Sequence, residues 1–541
     1  MNYARGAALG SIFGFLFFYM LQSQLPNTDP LDICIFGATF MGCVVMILTS
    51  PPTISSSAFL PAFLLILHSI AFTSNSFTFW EDRMVPFLLV SSLAPFVRKG
   101  ISASNPRLRY RILGFSVLFA VCVRLMSMST VCREEQQPYC HVTFYTPLAQ
   151  PPMLVLYLAL PVAIALPYVL HSFLKVSRSH LGLAKIFLPG ILMTSLVASA
   201  GYWLLEWLDS AGIVESEIAV VLRVVRTWIA RSVFVLVLVG GGGLWWTIPL
   251  CLDIVETAPT RPGERRQVTV IGYANAFGSP YLLLWSGLFA IVYLTTLLTG
   301  QLIMGLMAVA LLSHLEVVDS ARDVRLFEAL AATKPSAVLE PNRRSPPIAF
   351  ADIVPLALLG IHAFYATGHQ ATIPSIQWKS AFMLTPTMSF SLSASTWKAA
   401  FMLTPTMSFS LSASTVFLNS IGTIFLAGLA VPLLALWNRS PLPSDKNKPK
   451  TRPDTQIQGE GVAAALCVMT YYACLLLGAA VSSAILRRHL MVWKVFAPRF
   501  MLAVAQLIAV DLGVLIGFGV GVQHIGGRVT RMFRMPVNAP Q

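Results

Sequence analysis

Long apolar runs separated by short polar links dominate this sequence. Runs of about 17–25 apolar residues, enough for a helix to cross a bilayer, recur near 6–22, 31–49, 57–73, 111–128, 152–171, 184–205, 229–250, 280–298, 301–314, 350–366, 416–437, 462–484 and 500–523. A shorter run at 84–97, MVPFLLVSSLAPFV, fits either a fourteenth span or a half-membrane element. The pattern predicts an all-α polytopic membrane protein of about 13–14 transmembrane helices, filling 1–525, with a short cytoplasmic tail at 526–541.

Composition agrees. Of 541 residues, 56% are hydrophobic and 11% charged, against about 25% charged in a soluble domain. A chain this apolar has no surface to offer water, and one soluble core does not grow to such a size. The net charge of +14 sits in short basic stretches between apolar runs, as in loops of membrane proteins, with no nucleic-acid-binding motif. Eight cysteines are scattered without a C-x-x-C or zinc spacing, which argues against metal binding by cysteine.

Lysine and arginine bias sets the expected orientation. The loops 98–111, 315–349 and 438–460 are basic and are predicted to be cytoplasmic. The loop 129–151 is then lumenal, and its Cys132 and Cys140, either side of a polar turn, are candidates for a disulfide in an oxidising compartment. This parity requires 280–298 and 301–314 to be two spans, joined at Gly300. From 315 onward it places 13 Lys/Arg on the cytoplasmic side and 6 opposite. The side of Met1 depends on whether 84–97 spans, and no cleavage site follows the first apolar run.

One lumenal segment, LRRHLMVWKVFAPRF at 486–500, is basic against the bias. Its Arg487, Arg488 and His489 are candidates for contacts to lipid or glycolipid phosphate; interfacial anchoring with Trp493 is the competing explanation. Inside the spans, a charge costs at least ~2.5 kcal/mol, so Asp511 fits either a structural hydrogen bond to another helix or a polar cavity. Glu206 reads as an interface residue, and His68 and His362 as packed, hydrogen-bonded histidines. Gly240–Gly243 reads as close helix packing or a bend.

Residues 378–396 recur at 397–415 with one change, Ser380 against Ala399. Two copies cannot make a repeat architecture, and either a recent tandem duplication or an error in deriving the protein from its gene explains them. They lie in the lumenal connection 367–415, which holds His369, two lysines and no carboxylate.

Five strings together carry a family resemblance: SNSFTFWEDR (74–83), VCREEQQPYC (131–140), FYATGHQATIPSIQWKSAF (364–382), LNSIGTIFLAGLAVPLLALWN (418–438) and LRRHLMVWKVFAPRFM (486–501). In content and order they resemble the C-terminal membrane region of the third GPI ethanolamine phosphate transferases, the PIG-O group. The resemblance implies a multi-pass protein of the endoplasmic reticulum membrane. It implies transfer of phosphoethanolamine from phosphatidylethanolamine to the third mannose of the GPI precursor, beside a PIG-F-type stabilising subunit. It also implies a lumenal catalytic domain similar to alkaline phosphatase, with two divalent metal ions (zinc) held by Asp and His and a Thr nucleophile. That domain has no counterpart here. With 11 Asp, 9 His and no GDHG, the chain is expected to hold no catalytic residue, metal or cofactor, Met1 to be an internal start, and the chain to supply a lipid and partner platform. A polytopic transporter or lipid-handling protein and a non-catalytic assembly subunit are the alternatives.

Overall fold

The structure, a computed structural model, describes residues 2–21, parts of 29–45, 56–74, 80–129, 151–248, 250–257, 267–331, 348–370, 377–384, 407–441, 453–486 and 496–534. It divides into two units, Met1–Phe59 and Leu60–Gln541. In the first, α1 (Asn2–Leu21) packs through glycines against helical residues near 33–37. The second is a helical membrane bundle.

Its helices are α2 (Ser56–Thr73), α3 (Glu81–Ser91), α4 (Ala94–Ser102), α5 (Pro106–Ser127), α6 (Met153–Val176), α7 (Ala184–Ser210) and α8 (216–247). After a hairpin come α9 (Gly278–Thr295), α10 (Leu298–Ala331), α11 (Phe350–Ala366), α12 (Met407–Leu436), α13 (Pro453–Ile485) and α14 (497–534). Nine helical segments among the described residues are long and apolar enough to cross a membrane, and three shorter ones are apolar. The chain is a polytopic, all-α membrane protein. The run at 84–97 belongs to one of the nine, Glu81–Ser102, in which α3 and α4 meet at a turn at Ser92–Leu93.

Helices α9, α10, α11 and α12 form the interior. Gly278–Thr295 and Leu298–Glu328 are each 89% enclosed, whereas Met153–Val176 is 33% enclosed and turns the rest of its apolar surface outward. In lipid such a face needs no cover, and tight helix contact relies on small residues. Gly428 of α12 lies against the Val510 backbone of α14, and Gly513 of α14 against Phe425 and Leu429 of α12. A Cβ on Gly513 would sit 2.4 Å from the Phe425 carbonyl oxygen and 2.8 Å from the Leu429 nitrogen. Backbone cannot swing aside, so Gly513→Ala should lower stability by about 1–3 kcal/mol. Gly519→Ala, which meets nothing within 4 Å, should leave the melting temperature in detergent unchanged. Equal melting of both variants would refute this packing. Glycine serves the α7–α8 contact as well, where Gly241 faces Ile191 and Phe187 between two π-helical turns.

Three details differ from the sequence expectation. Two helices do replace the apolar stretch 280–314, but the break falls at Thr296, not Gly300. Thr296 is extended (ψ 136°) and both Thr295 and Thr296 hydroxyls donate to the Val292 carbonyl, which ends α9. The span at 301–314 and its expected basic loop 315–349 are largely one helix, α10, which runs on to Ala331. Its charges are taken up sideways: Glu316 pairs with Arg111 and accepts from Trp437 Nε1 at 3.2 Å, and the buried Arg322 donates to the Leu434 carbonyl. Finally, residues 253–271, expected only as loop, hold an antiparallel hairpin of β1 (Asp253–Thr257) and β2 (Gln267–Ile271), in register from Asp253↔Ile271 to Thr257↔Gln267.

The bundle has two ends. At one, Asn438 and Arg439, which follow α12, meet Asp319 of α10 at 2.7 Å and Glu460 of α13 at 3.3 Å, and Arg325 of α10 meets Asp352 of α11 at 3.5 Å. At the other lie Ser74 and Trp80, Thr296, residues 367–370 and 377–384, and the start of α14, joined by the contacts described next.

Candidate functional site

Two polar clusters occupy the end that holds His369. The first is built on a carboxylate. Trp80 precedes α3, and Glu81 in its first turn is fully buried. Arg499, in the first turn of α14, gives Nη2 to Glu81 Oε2 at 2.6 Å and Nη1 to the Ser74 carbonyl. His68 of α2 donates from Nε2 to Glu81 Oε1 at 2.9 Å, and its Nδ1 meets the Tyr471 hydroxyl of α13. The guanidinium also lies 4.4 Å from the Phe72 ring centre. Four helices are thereby pinned to one buried ion pair, neutral in sum. A buried pair needs close hydrogen bonding of this kind, and here only Arg499 Nε has no partner among the described residues.

The second cluster fixes the chain after α11. Asn419 of α12 donates Nδ2 to the Thr295 carbonyl at 2.6 Å, which sets the amide so that Oδ1 faces His369 Nε2 at 3.1 Å. Nε2 therefore carries the imidazole proton, and Nδ1 accepts at 3.0 Å from Thr367. His369 is buried, stacked on Phe364 at 5.4 Å, and burial pushes its pKa down to about 4, the hydrogen bond to Asn419 opposing that shift. Gln377 closes the network by donating to the Thr367 carbonyl at 3.2 Å. From it the short turn Trp378–Phe382 carries the chain onward.

The clusters are neighbours. Tyr365, four residues before His369, faces the Glu81 carboxylate. Both are buried and hydrogen-bonded, and suited to shaping the bundle end rather than to proton transfer. Among the described residues, no three of His, Cys, Asp and Glu gather as metal ligands would.

The other residues singled out in the sequence fare unequally. Arg487, Arg488 and His489 lie outside the described residues, as do Cys132, Cys140 and most of the duplicated segment. Asp511 is half-buried on α14, and its Oδ1 has no hydrogen-bond partner among the described residues. His362 is packed as expected, with Nε2 donating to the Val123 carbonyl at 3.0 Å. Sequence reasoning missed Glu81 and Asn419. Both stand in the family-like strings, WEDR and LNSIGT, which was the available signal.

Comparison with known proteins follows the same strings. Residues 351–528 match the family model described as the GPI ethanolamine phosphate transferase membrane region. The chain is 30% identical over 486 residues to GPI ethanolamine phosphate transferase 3 of Eremothecium gossypii, covering 83% of this chain and 42% of that one. To the Saccharomyces cerevisiae protein of the same name it is 30% identical over 494 residues, 84% of this chain and 43% of the relative. The human GPI ethanolamine phosphate transferase 3, catalytic subunit, is 29% identical over 210 residues, 34% of this chain and 18% of the relative. The chain thus spans about two-fifths of the length of the fungal relatives it matches. No solved structure matches. By the family match and by likeness along most of its length, the chain carries the membrane region of the GPI ethanolamine phosphate transferases.

Proposed function

We propose that this chain is the membrane platform of an enzyme that moves phosphoethanolamine from phosphatidylethanolamine to the third mannose of the GPI precursor. It works in the endoplasmic reticulum membrane with its His369 end facing the lumen, beside a PIG-F-type stabilising subunit. The observation that carries this reading is convergence. WEDR, FYATGHQ, LNSIGT and APRF, far apart in sequence, meet at one end of the bundle through Glu81–Arg499, Tyr365 and His369–Asn419. A catalytic domain acting on lipid-borne substrates needs a fixed floor at the membrane surface, since orienting two reactants supplies much of a rate enhancement.

The test is a chimera. In a yeast strain lacking the third transferase, the relative's matching membrane region is replaced by residues 60–541 of this chain. Restored surface GPI-anchored proteins, and loss of precursors lacking the third phosphoethanolamine, are expected. An abundant, membrane-inserted chimera that leaves those precursors unprocessed would reject the reading and favour a transporter or assembly role.

A further inference from the structure

The start of α5 carries more positive charge than its surroundings use. Arg107, Arg109 and Arg111 stand in its first two turns, and none of α4, α5 and α6 contains an acidic residue. A helix N-terminus disfavours cations, because its free N–H groups already make it positive. Asn105 caps one of them, its Oδ1 accepting from the Arg107 backbone nitrogen at 3.0 Å. Arg111 is paired with Glu316 of α10. Arg107 and Arg109, like Arg98 on α4, are exposed and make no ion pair among the described residues. Glu316 lies one turn before Asp319, the partner of Asn438, so these cations stand at the end of the bundle opposite His369.

Arg107 also heads an apolar stripe on its own face of α5. Gly114, Leu118, Val121 and Leu125 follow it in the sequence at spacings that bring all five within about 40° of one line along the helix. All five are exposed, whereas Leu108, Ile112, Phe119 and Met126 turn inward and are buried. Tyr110, 75% exposed, stands beside Arg107, where an aromatic side chain meets lipid headgroups. Nothing lies within 4 Å of where a Cβ on Gly114 would be, so the stripe is notched one turn below Tyr110. A free cation, an interfacial aromatic and an apolar track lie in that order along one helix face.

We propose that Arg107 holds the phosphate of an anionic phospholipid in the leaflet at this end, with an acyl chain along the stripe from Gly114 to Leu125. The guanidinium fork matches phosphate oxygens. Arg98 and Arg109 lie off the stripe and act at longer range, by raising the local positive potential. A negative headgroup offsets both the unpaired guanidinium and the positive end of α5, whose first turn has no carboxylate of its own. The site is independent of the transferase reading, because it requires only a membrane and these side chains.

The experiment uses the full chain in phosphatidylcholine vesicles with a trace of a phosphatidylserine or a phosphatidylcholine probe, both bearing the same photoreactive acyl chain. Labelling is mapped by peptide. In the wild type, residues 106–127 should take the serine probe in preference to the choline probe. Arg107→Gln should cut that preference about five-fold, the usual effect of one cation near a charged lipid surface. Arg98→Gln with Arg109→Gln should cut it less, and Arg531→Gln, which removes an exposed cation of α14, should leave it unchanged. Arg107 is exposed and unpaired, so Arg107→Gln should melt with the wild type. Raising salt from about 50 to about 500 mM should weaken the preference in the wild type itself, a readout that needs no variant. Equal labelling by the two probes would leave these arginines with membrane orientation alone and overturn the proposal. So would a preference that survives Arg107→Gln or high salt, or one that Arg531→Gln lowers as much as Arg107→Gln does. Loss of the preference to inorganic phosphate at constant ionic strength would make this an ion site and overturn it as well.

Discussion

Arg499→Ala is expected to destabilise the bundle by about 3–5 kcal/mol, the usual consequence of leaving a buried charge without its partner. The variant leaves the Glu81 carboxylate, fully buried, without its cation and with His68 and Tyr365 still facing it. It also removes the donor to the Ser74 carbonyl and the cation from the Phe72 ring. Arg499→Lys should recover only part of the loss, since an ammonium is a compact point charge without the planar fork that meets both Glu81 and Ser74. The double variant Glu81→Gln with Arg499→Met should be closer to wild type than Arg499→Ala, because neither residue then carries an unpaired charge. Thermal melting of the detergent-solubilised protein by size-exclusion fluorescence measures all four. If Arg499→Ala melts with wild type, the ion pair does not hold these helices together.

How much of this was legible in the sequence differs from residue to residue. The series of apolar helices follows from hydropathy, because in lipid a helix satisfies its own backbone groups within the segment. Among the described residues, however, nine of them are long enough to cross and three are shorter, against an expectation of about 13–14 spans. Helix ends were read less well, and for one reason. Hydropathy marks where the apolar stretch stops, whereas α10 continues to Ala331 because Arg322 and Glu316 find partners on neighbouring helices. Arg499 lies in the segment 486–500, which as a whole is basic on the side that charge bias disfavours, but it was not singled out there. Its partner Glu81, 418 positions away, could not be paired with it by any local pattern. His369 was visible within GHQAT, but Asn419, which fixes its tautomer, reads in isolation as an ordinary polar residue at the start of an apolar run. The β-hairpin left a trace that helix-oriented reading passes over: DIVET and QVTVI are rich in β-branched residues.

Acidification tests the second cluster. The His369 pKa lies near 4 in the folded chain, pushed down by burial, and near 6.5 in an unfolded one. Above 6.5 neither state binds the proton, so stability is complete. As pH falls from 6.5 towards 4, the unfolded chain takes up a proton that the folded chain refuses. Unfolding then becomes easier by about 1.4 kcal/mol per unit, or ~2 kcal/mol by pH 5. His369→Gln removes the titrating group while offering Asn419 another amide donor, and should flatten the pH dependence of melting between 6.5 and 5 relative to wild type. Asn419→Leu acts differently. It leaves His369 Nε2 and the Thr295 carbonyl without their partner inside the bundle, at a cost of about 1–3 kcal/mol for each stranded group, and should lower the melting point at every pH. In the yeast chimera, Asn419→Leu should reduce processing of GPI precursors along with abundance, because His369 loses its anchor to α12. A wild-type protein and a His369→Gln variant with the same loss of stability from pH 6.5 to 5 would show that His369 is not the buried neutral imidazole these contacts describe.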